Sequence, residues 1–497
     1  MGVATTANKS VVFFSSLGSF TFGYMLSAVS GLLGLNSFLS YFDIDTGGVN
    51  AVYAARMQGA LNGVVFGAAA VGAYGVAWLA DRVGRKKTFQ IICATSLTAT
   101  IISTSSINIG MLLAGRTITG LSCGMLHTLC PVYQSEVSSA HNRGVMVGMH
   151  GFMFVSGLAG SAWVTLGCYF IQSSQLQWRL VLGMQALPAI ALAVSSFWLI
   201  ESPRWLQLRN REEESLSALR KLHHDPGSDG HAIADAEHAS IKAQIELDGE
   251  EPTDLRHLLR SPGNRKRLLL GAAIMFANQS SGQIVLYSYQ VTLLKSLGVT
   301  GWLVLFIFCW YQTYAGCINF LGGWMADRFG RKTMFLGGMI GSWVSVIGHT
   351  AMIAAFAGTS NKVGQGAGIA FLFLFVTFFA TGVDVTTYIY ASEIWPTNLR
   401  ATGMATSIFI YFVQACIWSG VAPTAYATIG WKFYINYIVL SLVSIIIIWL
   451  WFPETANVSL EDISMIFDGR EGVPIETVQL SAEEGDGKIL QEQKSGV

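Results

Sequence analysis

Charge is scarce in this chain of 497 residues: Asp, Glu, Lys and Arg supply 12% of the positions, where a soluble domain carries about 25%. Acids and bases balance at 30 each, and no basic stripe interleaved with aromatics occurs, so nucleic acid is not an expected partner. The seven cysteines, Cys93, Cys123, Cys130, Cys168, Cys309, Cys317 and Cys416, stand singly with no CxxC spacing. They read as small buried hydrophobes, not as a disulfide or metal framework. No nucleophile with its base, metal cluster or phosphate-binding loop is assembled, so neither an enzyme nor a cofactor is expected. A cleavable leader is not visible ahead of the first apolar run.

What the chain does hold is a series of long apolar runs. The charges cluster between them, which soluble cores do not require. A hydrocarbon layer of about 30 Å is crossed by about 20 helical residues, and twelve runs meet that length. They are placed at 11–34, 57–80, 88–106, 108–133, 145–170 and 179–200 (helices 1 to 6), then at 268–294, 301–326, 333–357, 366–392, 402–427 and 431–452 (helices 7 to 12). The expected fold is an all-α membrane protein. Its organisation is a six-helix bundle over 1–203, a linker over 204–267 with short amphipathic helices such as Arg211 to Leu222, a second bundle over 268–456, and a polar acidic tail over 457–497 expected to be disordered. The richest basic loops follow helix 2 (Arg82, Arg85, Lys86, Lys87) and helix 8 (Arg328, Arg331, Lys332). The positive-inside rule therefore places both termini and the linker in the cytoplasm.

The two halves repeat. AWLADRVGRK at 77–86 returns as GWMADRFGRK at 323–332, and YQSEVSSAHNR at 133–143 as YASEIWPTNLR at 390–400; Glu201 in ESPRWL has a looser counterpart in Glu454 of PETANVSLE. Three cassettes in one order at nearly one offset indicate a duplicated six-helix unit. Matched Glu136 and Glu393 are not needed for topology, since acids contribute little to orientation; Lys86, Lys87 and Lys332 can be ordinary topology signals.

With GRTITGLSCG and PVYQSE in helix 4, ESPRWL after helix 6, ASEIWP after helix 10 and PET after helix 12, the chain resembles the sugar porter family of the major facilitator superfamily over nearly its whole length, and fungal members in particular. The resemblance implies two pseudosymmetric bundles around a central cavity and alternating access by their rocking. It implies an intracellular latch made of Asp81, Arg82, Arg85, Glu136, Arg143 and Glu201 from the first half with Asp327, Arg328, Arg331, Glu393, Arg400 and Glu454 from the second. Bidentate Arg–carboxylate pairs suit such a role because they are directional and reversible.

The cavity is where this chain leaves the family pattern. Proton-coupled members carry FGYD on helix 1, its Asp facing an Arg of helix 4; here the motif is FGYM with Met25, and Arg116 matches the arginine. Facilitative transport is the simpler expectation. Asp384, deep in helix 10, is either a polar or proton site or a packing group satisfied by a neighbouring Thr or Tyr; an ionised group there costs about 2.5–3.5 kcal/mol on insertion scales. Candidate cargo contacts are Asn278, Gln279, Gln283 and Tyr287 on helix 7, His150 beside Gly151 on helix 5, Tyr388 on helix 10, and Tyr411 with Phe412 and Gln414 on helix 11. Amides are suited to vicinal hydroxyls because they donate and accept at once. His127, like His150, reads more readily as a satisfied helix histidine than as a titrating one.

The leading expectation is transport of a sugar or polyol by a monomer in the plasma membrane. A cyclitol, organic acid or aromatic metabolite, with proton coupling through Asp384, is an alternative suggested by the lost amides. A sugar sensor without flux is another.

Overall fold

The computed structural model describes residues 6–48, 50–138, 143–223, 230–248, 261–395, 399–455 and 467. Twelve crossing helices are present among them. In the first half they are Thr6–Leu32, Ala51–Val83, Arg85–Thr104, Ile109–Val137, Arg143–Tyr169 and the pair Ser174–Met184 with Ala186–Ser195. The second half has a seventh crossing in three pieces (Pro262–Ser280, Gln283–Ser288, Gln290–Ser296), then Trp302–Phe329, Arg331–Phe356, Lys362–Glu393 interrupted by a π-turn, Arg400–Ile429 and Phe433–Trp451. Helix 2 begins six residues before its expected start and helix 6 five before, because Ala51 to Arg56 and Ser174 to Trp178 continue the helical geometry into polar sequence that hydropathy alone discards.

By length and hydropathy alone nine stretches qualify as spans, the last of which, Thr402–Trp451, contains two helices. The helix at Arg85–Thr104 and the broken seventh crossing are absent from that set. The former is rich in Ser and Thr, and four of those hydroxyls are absorbed by the helix itself: Thr88, Thr95, Thr98 and Thr100 each donate to the carbonyl four residues back. Those four hydroxyls are thus satisfied without lipid or water. Helix 7 is broken at Gly282, whose φ of 84° is left-handed and natural to glycine, and again at Tyr289.

The turns that carry the repeated cassettes are built alike in both halves. Helix 2 ends at Gly84 (φ 92°) and helix 8 at Gly330 (φ 91°), a backbone region that L side chains avoid. Each turn wraps around one carboxylate. Glu201 accepts from the backbone N–H of Arg85 at 2.7 Å and of Lys86 at 3.2 Å; Glu454 accepts from those of Arg331 at 2.8 Å and Lys332 at 3.1 Å. These are the otherwise unpaired amides at the start of helices 3 and 9, where the helix dipole favours a negative charge. Burial pushes the Glu201 carboxyl above its usual range, against the opposing pull of the amides of Ser202, Arg85 and Lys86. The repeat even extends to the lysines: Lys86 Nζ donates to the Phe197 carbonyl at 2.7 Å and Lys332 Nζ to that of Trp449 at 3.0 Å.

Away from this basic face the halves are pressed together. Helix 2 meets helix 11 backbone to backbone, with a Cβ on Gly59 running into the Gly420 carbonyl. Tyr289 donates to the carbonyls of Ser419 at 2.6 Å and Gln58 at 3.3 Å. Lys295 reaches the Leu33 carbonyl of helix 1 at 3.1 Å, and Trp163 of helix 5 donates to Thr313 of helix 8 at 3.1 Å.

The linker forms Pro203–Leu208, Glu212–Leu222 and Gly230–Asp248. Ser202 caps the first, accepting from the Trp205 amide. The second and third are tied by Arg220–Asp235 and Lys242–Glu212, and Leu219 packs with Ala234 and Ile241. The expected tail lies outside the described residues apart from Phe467. Five cysteines are buried as expected, but Cys317 is exposed on helix 8 and Cys416 is half-buried where helix 11 packs against Gly67 of helix 2.

A Cβ on Gly84 would lie 2.5 Å from Glu201 Oε2, and one on Gly330 2.8 Å from Glu454 Oε2. Gly84→Ala should therefore cost about 1–2 kcal/mol in backbone strain alone, with the displaced carboxylate adding to it, and Glu201→Ala about 1–3 kcal/mol for the stranded amides. Thermal unfolding of detergent-purified protein checks both. A Gly84→Ala midpoint equal to that of the parent protein would contradict this account of the turn.

Candidate functional site

Between the basic face and the closed face lies a set of buried polar groups that have found no partner. The three-piece helix 7 presents most of them. Gln279 is wholly buried, and neither its Oε1 nor its Nε2 is hydrogen-bonded. Gln283 Oε1, Tyr287 Oη and Gln414 Oε1 on helix 11 are in the same condition. Asn278 is partly committed: its Nδ2 donates to Thr387 Oγ1 of helix 10 at 3.1 Å, and its Oδ1 is left over. Because a buried polar group without a partner costs about 1–3 kcal/mol, several on one side of a broken helix mark a place where something else supplies the hydrogen bonds.

Rings close the space around them. The Tyr411 hydroxyl lies beside Gln279 and Tyr388, and the Tyr388 and Tyr411 rings are 6.3 Å apart. From the first half, His150 Nδ1 is 2.8 Å from Ser19 Oγ, so this candidate is held by helix 1. His127 was not among the expected contacts, and it sits at the centre of the ring set. Its centroid is 5.0 Å from Phe22, 5.5 Å from His150, 5.7 Å from Tyr388 and 5.5 Å from Phe412. It thus touches helices 1 and 5 of its own half and helices 10 and 11 of the other, and both ring nitrogens are buried without a hydrogen bond. No carbonyl of the described residues satisfies His127, whose neighbours include four rings. A histidine three residues before CPVY in an apolar helix was the available signal.

Arg116 has a partner after all. Its Nη1 donates at 3.0 Å to the backbone carbonyl of Met25, the residue standing where the resemblance led one to expect an acid. The peptide oxygen does the hydrogen bonding without a charge, while Nε and Nη2 remain unpaired next to Tyr287. Asp384 ends a π-turn over Phe379–Asp384 and accepts from Asn319 Nδ2 of helix 8 at 2.8 Å. Its partner is neither a Thr nor a Tyr, which corrects the expectation: the neighbouring Thr386 and Thr387 hydroxyls are spent on the carbonyls of Gly382 and Val383.

At the basic face the structure brings the cassette residues together within each half. Arg85 grips Glu136 through Nε at 2.9 Å and Nη2 at 2.8 Å, and Asp81 through Nη1 at 3.0 Å. Arg331 meets Glu393 through Nε at 3.2 Å, and Thr455 donates to the other oxygen of that carboxylate at 2.7 Å. Two members depart from the expected ionic role: Arg82 stacks on Trp78 at 5.2 Å and Arg328 on Trp324 at 5.5 Å, where a guanidinium gains from the ring face. Likewise Glu201 and Glu454 hold backbone amides. The side chains of Arg143, Asp327 and Arg400 lie outside the described residues.

Residues 11–467 match the profile of the family described as Sugar (and other) transporter. The chain belongs to that family. It is a transporter and an integral membrane protein, and not an enzyme. Among its relatives, the MFS-type transporter criB of Aspergillus cristatus is 28% identical over 96% of this chain and 97% of its own. The MFS glucose transporter mfs1 of Aspergillus flavus is 27% identical over 93% and 89%, and the sugar transporter STL1 of Saccharomyces cerevisiae 28% over 92% and 82%. The fold is that of the E. coli xylose transporter XylE. Its partially occluded inward-open form superposes with a TM-score of 0.76 at 19% identity, covering 91% of this chain and 99% of that one. The form bound to 6-bromo-6-deoxy-D-glucose gives 0.77 at 19%, covering 94% and 100%.

If the unpaired amide of Gln279 meets cargo, Gln279→Leu should raise the KM of uptake about tenfold or more, the equivalent of one or two lost hydrogen bonds, while leaving thermal stability unchanged or higher. A variant of unaltered KM would remove Gln279 from the site.

Proposed function

We propose that this transporter carries a sugar or polyol down its gradient by alternating access, rocking the bundles over 1–203 and 268–456 about a cytoplasmic linker. The observation that carries the reading is the row of buried, unpartnered amide and hydroxyl groups on the broken helix 7, Gln279, Gln283 and Tyr287, beside Tyr388 and Tyr411. Neutral groups that donate and accept suit a neutral polyhydroxylated cargo, and rings suit its C–H faces. The names of the glucose and sugar transporters among its relatives support the same reading.

Facilitation is favoured by Met25, whose carbonyl serves Arg116 without offering a group that titrates. The contacts of Gly59 with Gly420 and of Lys295 with Leu33 support a state closed to the outside. In such a state Arg85–Glu136 and Arg331–Glu393 are kept within their own bundles, and the latch between bundles re-forms when the outer face opens. Placement in the plasma membrane with cytoplasmic termini, acting as a monomer, follows the same family reading and the loop charges.

A panel of labelled hexoses, pentoses, polyols and quinate-like acids, tested for counterflow in proteoliposomes at two pH values, is the deciding experiment. Expected are hexose or polyol counterflow and indifference to an imposed pH gradient, with Asp384→Asn leaving that indifference unchanged. Met25→Asp, which returns a carboxylate to Arg116, should make uptake pH-dependent. Flux of an acid alone would replace the proposed cargo, and binding without flux would indicate a sensor.

A further inference from the structure

The first half carries a polar groove that the transport reading does not use. It is a cavity of about 920 Å³ between the turn after helix 2, the inner end of helix 6 and the first two linker helices. Four cations line it: Lys86, Lys87, Arg211 and Lys221. Its two acids are already engaged. Glu201 holds the amides that begin helix 3, and Glu214 is bound through both oxygens by Arg211 at 2.7 and 2.6 Å. Lys86 is anchored to the Phe197 carbonyl. That leaves Lys87 and Lys221, both exposed, with no partner among the described residues, so the groove holds a surplus of positive charge with free donors.

The surface running away from the groove is apolar. On one face of helix 6 and the turn that continues it, Leu187, Ile190, Val194, Phe197 and Trp198 are exposed by 46–70%. Their three- and four-residue spacing makes a continuous stripe whose last two rings also line the groove. A Trp at the boundary between an apolar stripe and a basic pocket is the arrangement of a headgroup-level anchor. A soluble anion would use the pocket but not the stripe. The second half repeats the apolar stripe on helix 12, where Leu442, Ile446, Trp449 and Leu450 are exposed, but it lacks the second lysine: Thr333 stands at the position of Lys87, while Lys332 repeats Lys86.

We infer that this groove binds the headgroup of an anionic glycerophospholipid, with Lys87 and Lys221 contacting its phosphate and carboxylate and its acyl chains lying along the helix 6 stripe. Basic clusters beside a membrane attract anionic lipid by about 1 kcal/mol per Lys or Arg, so each lysine removed should weaken lipid retention about fivefold. Because Glu201 sits in the same groove and caps helix 3, an occupied headgroup site braces the turn that begins the cassette.

The test uses the full chain in nanodiscs of phosphatidylcholine with and without phosphatidylserine, reading the thermal midpoint and the lipid retained in native mass spectrometry. Expected are a higher midpoint and retained phosphatidylserine for the parent protein, loss of both in Lys87→Ala/Lys221→Ala, and their return in Lys87→Arg/Lys221→Arg. Lys362→Ala, an exposed lysine on the opposite face, should behave as the parent. A phosphatidylserine response that persists in the double alanine variant overturns the site. So does the full stabilisation of phosphatidylcholine nanodiscs by inorganic phosphate or glycerophosphoserine, which would make the ligand a soluble anion.

Discussion

A single kind of bond organises both halves: a carboxylate from the end of the sixth helix of each unit, Glu201 or Glu454, closing on the backbone amides that open the third. The left-handed glycine is what allows it, since only a residue without a Cβ lets the carboxylate approach the turn so closely. Around it everything at the basic face is arranged. Once the turn is fixed, Arg85 and Arg331 project towards Glu136 and Glu393, and Lys86 and Lys332 reach back to the carbonyls at the close of the sixth helix. The start of the third helix, the end of the fourth and the end of the sixth in each half are therefore one hydrogen-bonded body.

The interior follows another logic. There many buried side-chain atoms are left without a partner among the described residues, several of them on helix 7, with both ring nitrogens of His127 and the free edge of Arg116. Elsewhere in the bundles small residues let helices approach, and many of the hydroxyls return to their own backbone. A buried amide left open in that setting is retained at a cost in stability, which is the trade expected where cargo must bind and also leave.

The sequence made the architecture readable because its signals were large: twelve runs of sufficient length, and three cassettes repeated in one order, the first of them closely. It also located the positions at which the cavity differs from the family pattern. The partners of those positions were not readable. Arg116 turned to a peptide carbonyl, a group every residue possesses and no motif announces. Asp384 was paired with Asn319, which lies on a helix that enters by tertiary packing alone. The ring contacts of His127 with four other helices were not readable either, because a one-dimensional reading sees only helix 4. Glu201 and Glu454 were recognised as cassette members, but amide-binding leaves no mark in the sequence beyond a glycine in the turn they serve.

The backbone pinch between Gly59 and Gly420 has a mechanical meaning. From Gly59 to the end of helix 2 at Val83 the helix runs roughly 36 Å at 1.5 Å per residue. A contact this tight can serve as a fulcrum near one end of a long lever, so that each 10° of rotation there sweeps the far end through about 6 Å. A displacement of that size exceeds the reach of any salt bridge, while the pinch itself scarcely moves.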